Sequence, residues 1–175
     1  MAPQSHKEGG RDFFVGKWKA VRTTGDFEQF LSDRGVPFPI RKLLGFMSTG
    51  GKFEYRLDGG DRYIEVEIGR FGSKEAAPVP LGSLKGVDGK APSGESIQRF
   101  AKVEDGALKL THVVRGDPED CVDMQISRGK APHTLEKTFT NRKTGTTFTV
   151  TLQPLDGSTQ QKNAERSSSS SSSSS

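Results

Sequence analysis

Short turn signals recur along the middle of this chain at intervals of about 8 to 12 residues, a spacing typical of antiparallel hairpins. Each signal is a small group of residues that favours chain reversal, such as Asp58-Gly59-Gly60 or Asp105-Gly106. Hairpins of this length close into a sandwich or a barrel, so the spacing predicts an all-β fold. The other signals are Gly72-Ser73, Asp88-Gly89, Ser93-Gly94, Gly116-Asp117-Pro118, Gly129-Lys130 and Thr144-Gly145.

The segments between these turns alternate in polarity, as strands with one buried face do. In "FEYRL", Phe53, Tyr55 and Leu57 share one face. The same period groups Ile64, Val66 and Ile68; Leu108, Leu110, His112 and Val114; and Val122, Met124, Ile126 and Arg128.

One stretch, residues 26–43, has a helical period instead. Phe27, Phe30 and Leu31 lie at i, i+3 and i+4, and Gly35 ends this first helix. Two helices this short are marginal alone, so they must pack on an apolar surface, and we predict a lid over the open end of a barrel. The apolar stripe of the second helix is predicted to comprise Ile40, Leu43, Leu44 and Met47.

The length of 175 residues fits one domain with tails. Residues 1–10 lack apolar periodicity and are predicted to be a disordered arm, and residues 155–175 are predicted to be a disordered Ser-rich tail. The folded domain is therefore expected over residues 11–154.

Charge and cysteine content favour a soluble, cytoplasmic protein. The net charge of +4 permits contact with anionic partners, but acidic and basic residues alternate along the strands. A DNA-binding helix-turn-helix is not favoured, because the second helix offers only Arg41 and Lys42 and no third helix follows, so no nucleic acid is expected. The single Cys121 has no internal partner, and no apolar stretch reaches the length of a signal or membrane segment.

The start of the chain resembles the intracellular fatty-acid-binding protein family of the calycin superfamily, which includes the cellular retinoid-binding proteins. The match lies in "FVGKWKAV" and "DFEQFLSDRGVPFPIRK", and "GRFGSKEA" resembles the family's turn between the third and fourth strands, with Phe71 bordering the ligand portal. The resemblance implies a ten-stranded antiparallel up-and-down β-barrel, lipocalin-like, capped by a helix-turn-helix. The matching positions are Gly16, Trp18, Phe27, Glu28, Phe30, Leu31, Gly35, Val36, Phe38, Arg41 and Lys42.

The resemblance also implies a function: cytoplasmic binding and transport of a fatty acid, or of a related lipid or retinoid, inside the barrel. We expect a monomer that performs no chemistry and needs no cofactor or metal. Arg41 and Lys42 would favour transient contact with anionic membranes. The ligand-binding residues are expected to be Phe27, Phe30, Phe71, His112, Met124, Ile126 and Arg128.

Two departures from the family pattern concern the fourth strand and the last strand. Pro78 and Pro80 cannot donate ladder hydrogen bonds, so they belong at an edge or gap of the sheet. Many members hold a ligand carboxylate with an arginine on the eighth strand and Arg-x-Tyr on the last, whereas the positions expected to match on the last strand are Thr151 and Gln153. Arg128 is then the internal anchor of an acidic ligand, or else it ends its strand in water.

Other interpretations remain open at this point. His112, on an apolar face, is either a hydrogen-bonded core residue or, together with Arg128, part of a haem-binding or enzymatic site on the same barrel. A barrel with a filled interior would serve only as an interaction domain. Trp18 is expected to plug the barrel bottom with its indole N–H bonded locally.

Overall fold

We describe residues 10–47 and 49–155 of a computed structural model of the chain, without the side chains of Leu43, Phe46 and Met47. The arm predicted over residues 1–10 and the tail predicted over residues 155–175 lie outside the described residues, apart from Gly10 and Leu155.

The described chain forms eleven strands and two short helices, with both helices between the first and second strands. The elements are β1 (Gly16–Gly25), α1 (Phe27–Asp33), α2 (Phe38–Met47), β2 (Lys52–Asp58), β3 (Arg62–Gly69), β4 (Gly72–Glu75), β5 (Val79–Pro80), β6 (Val87–Lys90), β7 (Ser96–Glu104), β8 (Ala107–Val114), β9 (Asp117–Arg128), β10 (Leu135–Asn141) and β11 (Thr147–Pro154).

Ten of these strands follow one another in a single antiparallel path, β4-β3-β2-β1-β11-β10-β9-β8-β7-β6. The predicted ten-stranded antiparallel up-and-down barrel with a helix-turn-helix lid is therefore confirmed. The ends of the path, β4 and β6, leave a gap that the two-residue strand β5 bridges at one end. Val79 of β5 pairs with Tyr63 of β3, and the following Leu81 pairs with Ala101 of β7. Pro80 lies in this short bridging strand, as its missing N–H predicts.

Two of the predicted turn signals lie inside strands. Gly72-Ser73 begins β4, because the chain reverses just before it, at residues 70–71 between the paired Gly69 and Gly72. Asp88-Gly89 lies inside β6, and the chain reverses only after Lys90, which pairs with Ser96. Gly89 serves packing here, because a Cβ at this position would lie 2.9 Å from Nε of Arg99.

One end of the barrel, hereafter the closed end, is filled by apolar side chains. Phe14, Leu108 and Ile126 have no exposed surface, and Leu135 is 2% exposed. Trp18 packs in the same cluster, and its Nε1–H donates to the carbonyl of Phe14 at 2.8 Å, which confirms the local bond predicted for its indole.

The two helices cover the other end, hereafter the lid end. Helix α1 ends in a Schellman motif, since the N–H of Gly35 donates to Ser32 and that of Val36 to Leu31, and Gly35 has a φ of 71°. The predicted end of this helix is therefore confirmed.

The two helices pack differently. Helix α1 packs on β10 and β11, with the rings of Phe27 and Phe30 each 4.9 Å from that of Phe148. Helix α2 packs mainly on α1. Its predicted apolar stripe needs a correction, because Ile40 is 47% exposed: the helix covers an opening and is not embedded in a core. Leu44 of the same stripe does face inward, whereas the side chains of Leu43 and Met47 lie outside the described set.

Neither helix in the described part of the chain has the length and apolar character needed to cross a bilayer.

Candidate functional site

A cavity of about 1210 Å³ lies between the lid and the closed end. Most of its lining is aliphatic or aromatic, and each of the eleven described strands contributes to it. The apolar lining includes Phe53, Leu110, Met124, Phe139, Val150 and Leu152.

Four of the predicted ligand-binding residues line this cavity. Phe27 and Phe30 face it from the lid, and His112 and Met124 face it from β8 and β9. Ile126 is placed differently, since it belongs to the closed-end core and is completely buried.

Phe71 and Arg128, which were expected among the ligand-binding residues, do not line the cavity, and Arg128 takes the second of the two alternatives left open for it, a strand end in water. Phe71 is 96% exposed in the turn between β3 and β4, and the guanidinium of Arg70 lies 5.7 Å from its ring centre. Arg128 is exposed, with its guanidinium 5.3 Å from the ring centre of Phe13. It shares the strand face of Met124 but lies beyond the closed end, because the long strand β9 extends past the buried Ile126.

The last strand also needs a correction. Thr151 and Gln153 were the positions expected to match the family's anchor, but the residues of β11 that face the cavity are Phe148, Val150 and Leu152. Gln153 is exposed and Thr151 does not line the cavity. The inward positions of the last strand are therefore apolar.

The charged groups inside the barrel come from other strands, and sequence analysis did not identify them. Nζ of Lys137 on β10 lies 3.0 and 3.1 Å from the two carboxylate oxygens of Glu65 on β3. The hydroxyl of Tyr63 donates to the same carboxylate at 2.8 Å. Three rings surround Lys137, with centres 5.2 to 6.0 Å from its Nζ: Phe53, Tyr55 and Phe139.

This arrangement supplies partners to a lysine that is only 7% exposed, where an unpaired ammonium would be costly. Burial disfavours ionisation of Glu65, but the charge of Lys137 and the hydrogen bonds from Tyr63 and Lys137 outweigh it and hold the pKa of Glu65 below its usual value. The two side chains of the pair thus bind each other through both carboxylate oxygens.

Three further polar residues surround this pair. Arg99 on β7 is half-buried, and its Nη2 donates to the carbonyl of Ala77 across the gap at 3.1 Å. Nε of Arg99 and the hydroxyl of Tyr55 are buried without a hydrogen-bond partner. We call the group the Glu65 cluster; it comprises Tyr55, Tyr63, Glu65, Arg99, His112 and Lys137.

His112 faces Arg99 across the β7–β8 pair. Burial, reinforced by the nearby charges of Lys137 and Arg99, lowers the pKa of His112 to about 4, so its imidazole is neutral at pH 7. The partner proposed for it from sequence, Arg128, lies at the far end of the barrel. Within residues 10–47 and 49–155 no group of three or more His, Cys, Asp and Glu side chains is placed to hold a metal ion.

The alternation of the strands contains a signal that would have identified the Glu65 cluster. Lys137 stands between Leu135 and Phe139 on one face of β10, and Arg99 stands between Ile97 and Ala101 on one face of β7. Strand β3 is harder to interpret, because Tyr63 and Glu65 line the cavity, whereas Ile64 and Val66 on the more apolar face are buried without lining it. Cross-strand pairing determines which face of β3 points inward, since Glu65 pairs with the cavity-lining Tyr55 and Tyr63 pairs with Leu57.

A second charged group ties the lid to the rim of the barrel. Arg34, just after α1, pairs with Asp120 at the start of β9 and with Glu95 between β6 and β7, the latter at 3.1 Å. The side chain of Arg34 is 10% exposed, whereas Glu95 and Asp120 keep 41% and 20% exposure, so these bonds are partly sheltered from water. Thr146 of the β10–β11 turn donates to Asp33 beside it.

The predicted membrane-contact residues lie on α2. The guanidinium of Arg41 and Nζ of Lys42 lie 5.6 and 5.3 Å from the ring centre of Phe38, which is 56% exposed. Lys42 also lies 3.7 Å from Glu28 of α1, and both side chains are exposed.

Comparison with known proteins supports the fold. No protein-family model matches the chain, and no curated protein matches it significantly. Solved structures do match: fatty-acid-binding protein 1 of Echinococcus granulosus is 19% identical with a TM-score of 0.67, covering 83% of this chain and 99% of that protein. Lipid binding protein 8 of Caenorhabditis elegans is 19% identical with a TM-score of 0.68, covering 83% and 97%. As-p18, an extracellular fatty acid binding protein, is 19% identical with a TM-score of 0.64, covering 82% and 96%. The resemblance seen in the sequence is thus confirmed as a shared fold.

Proposed function

We propose that this protein binds and transports a small hydrophobic ligand, a fatty acid or a related lipid or retinoid, inside the barrel. The observation that supports the proposal most is the cavity itself, which is large, apolar over most of its lining and covered by a lid. Structural neighbours named as fatty-acid- or lipid-binding proteins share this architecture.

The cavity suits such a ligand in size and chemistry. Its volume of about 1210 Å³ exceeds the roughly 300 to 1,000 Å³ of ordinary small-molecule sites. Burying each methylene contributes about 0.8 kcal/mol, so a long alkyl chain gains on the order of 10 kcal/mol before its ordering costs are subtracted. The apolar lining therefore supplies most of the affinity.

The two helices have separate roles in this proposal. Helix α1 is fixed to the barrel by Phe27, Phe30 and Arg34, whereas α2 packs mainly on α1. Uptake and release would then require α2 to move while α1 stays in place.

We further propose that the protein acts in the cytoplasm and exchanges ligand by collision with anionic membranes. The exposed Phe38 with Arg41 and Lys42, and the exposed Phe71 with Arg70, supply apolar and cationic groups beside the lid. Transfer of a fluorescent fatty acid to anionic vesicles should slow as salt is added, because salt screens the attraction. Transfer that is insensitive to salt would refute the membrane step.

The carrier function is tested by filling the cavity. Val150 lines it from β11, whereas Val113 on β8 is half-buried but does not line it. We expect the delipidated protein to bind a fluorescent fatty acid, Val150→Trp to weaken that binding at least about tenfold by occluding volume, and Val113→Trp to leave it nearly unchanged. A delipidated wild-type protein that binds neither this probe nor ANS would overturn the proposal.

A further inference from the structure

The interior of the barrel contains one cation without an acidic partner. Among the described charged residues that line the cavity, only Arg34, Glu65, Arg99 and Lys137 are not exposed. Arg34 is paired with two carboxylates, and Lys137 is paired with Glu65. Arg99 forms no ion pair with any described residue, so the interior keeps an uncompensated positive charge. A half-buried cation without a counter-ion favours an anionic occupant.

Two hydrogen-bond donors in the same region are also unsatisfied. Nε of Arg99 and the hydroxyl of Tyr55 are buried without partners, and Tyr55 is only 1% exposed. Both residues line the cavity, and the ring centre of Tyr55 lies 5.5 Å from Nζ of Lys137, the partner of Glu65. An unsatisfied buried donor is costly, so both groups favour an occupant that carries acceptor oxygens.

The backbone holds Arg99 in a defined position. Its Nη2 is bonded to the carbonyl of Ala77, and its side chain passes over Gly89, where a Cβ would lie 2.9 Å from Nε. Its partner across the β7–β8 pair is His112, which is neutral at pH 7 and so supplies no charge. The guanidinium is thus held in place while its Nε–H is free to donate to an oxygen of a carboxylate.

We propose that the ligand is an amphiphilic monoanion, in the simplest case a long-chain carboxylate, whose head group is bound inside the barrel by Arg99 and Tyr55. Its apolar tail extends along the lining towards Phe27 and Phe30 of the lid. This inference rests on the proposed carrier function and adds the ligand's charge, the depth of its head group and the residues that select it.

The other interior cations are less suited to this role. The carboxylate of Glu65 already occupies the space beside Lys137, bonded through both its oxygens. Arg34 at the lid end already binds Asp120 and Glu95. The inward positions of β9 and β11, where an anchor would be sought by family resemblance, are apolar: Val122, Met124, Ile126, Phe148, Val150 and Leu152.

The test compares palmitic acid with methyl palmitate by calorimetry on the delipidated full chain, because the two probes share a tail and differ in charge. We expect the wild type to bind the acid about tenfold or more tightly than the ester. Arg99→Gln should weaken binding of the acid about 10- to 100-fold and leave that of the ester within about threefold. Tyr55→Phe, which removes one neutral donor, should weaken binding of the acid about fivefold.

Two matched variants test where in the barrel the head group of the ligand binds. Arg128→Gln removes the same charge from an exposed site outside the cavity and should leave both affinities unchanged. Arg34→Gln removes a cation at the lid end and should leave the preference for the acid intact; loss of that preference here, and not in Arg99→Gln, would overturn the proposal and place the head group at the lid.

Folding and carrier function are checked separately. Arg99→Gln is expected to fold, because it removes an unpaired charge, and far-ultraviolet circular dichroism will show whether it does. If it does not fold, Arg99→Lys keeps the charge without the fork and should lose about threefold to tenfold in affinity for the acid, and no loss would refute the proposal. Equal binding of acid and ester by the wild type would refute this inference and leave the carrier function standing, whereas binding of neither would overturn both.

Discussion

The closed end and the lid end of the barrel are held together by different kinds of contact. At the closed end, Phe14, Leu108 and Ile126 are completely buried in one apolar cluster. At the lid end, α1 is fixed by two rings and by the ion pairs of Arg34, and α2 exposes Phe38 and Ile40. The Glu65 cluster lies in the cavity between the two ends.

This difference separates the contacts that stabilise the folded barrel from the contacts that must open for ligand exchange. Apolar burial is roughly proportional to the area removed from water, so the closed end contributes most of the free energy of unfolding. Contacts with few buried apolar atoms open at lower cost, so the lid end can move while the barrel stays folded. Four variants or conditions test this division.

Leu108→Ala should have the largest effect, because it leaves a cavity in the closed end. We expect a loss of about 4 kcal/mol in the free energy of unfolding, measured by urea denaturation. The matched control is Leu84→Ala, since Leu84 is fully exposed and should change stability by less than about 0.5 kcal/mol. Similar losses for the two variants would refute the assignment of stability to the closed end.

Acidification should destabilise the fold through His112. The folded imidazole stays neutral down to its pKa of about 4, whereas the unfolded chain takes up a proton below its ordinary pKa of 6.5. The unfolded state therefore binds more protons in this window, and stability should fall by about 3 kcal/mol as the pH drops from 6.5 to 4.

Urea midpoints measured across this pH range test the effect, and His112→Gln should flatten their dependence. Glu65 contributes in a lower window, because its depressed pKa keeps it ionised until the pH falls below 4.5. A wild-type profile that is flat between pH 6.5 and 4.5 would contradict the buried neutral imidazole.

Lys137→Met should cost about 2 kcal/mol, since it leaves the carboxylate of Glu65 without its counter-ion. The cost is below that of a fully buried pair, because the side chain of Glu65 is 28% exposed and the bond from Tyr63 remains. Adding Glu65→Gln should recover at least half of the loss, because no orphaned charge is then left. A double variant as unstable as the sum of its singles would argue against direct coupling.

Arg34→Ala should cost only about 1 kcal/mol in stability, because Asp120 and Glu95 keep 20% and 41% exposure and can be hydrated. Its main effect should be kinetic, with a fluorescent fatty acid dissociating several-fold faster in stopped-flow measurements. Arg62→Ala is the control, since Arg62 pairs with Asp58 at the β2–β3 turn, where both side chains are about half exposed. Equal dissociation rates in the two variants would show that Arg34 does not hold the lid.

Much of the architecture was predictable, because its signals are local. Turn residues, the two-residue period of the strands and the helical period at Phe27, Phe30 and Leu31 each depend on near neighbours in the chain. The misplaced turn at Asp88-Gly89 shows the limit: glycine has more than one use, and here it makes room for a side chain from another strand.

The site was predictable only in part. The period of β9 placed Met124 and Arg128 on one face, but periodicity does not show how far along the barrel a residue lies, so it left Arg128 either inside the cavity or at a strand end in water. On β3 the hydrophobic pattern favoured the wrong face, because the inward positions hold Tyr63 and Glu65. A charged residue on an inward face is stable only beside its partner, and that partner, Lys137, is 72 residues away in the chain.

The order of turns and strand periods in the chain is thus enough to specify a hollow antiparallel barrel and the position of its lid, because hydrogen bonding and apolar burial act on these patterns one element at a time. The chemistry of the interior is set by pairing between distant strands, which brings Glu65, Arg99 and Lys137 into one low-dielectric space where each side chain's charge depends on the others.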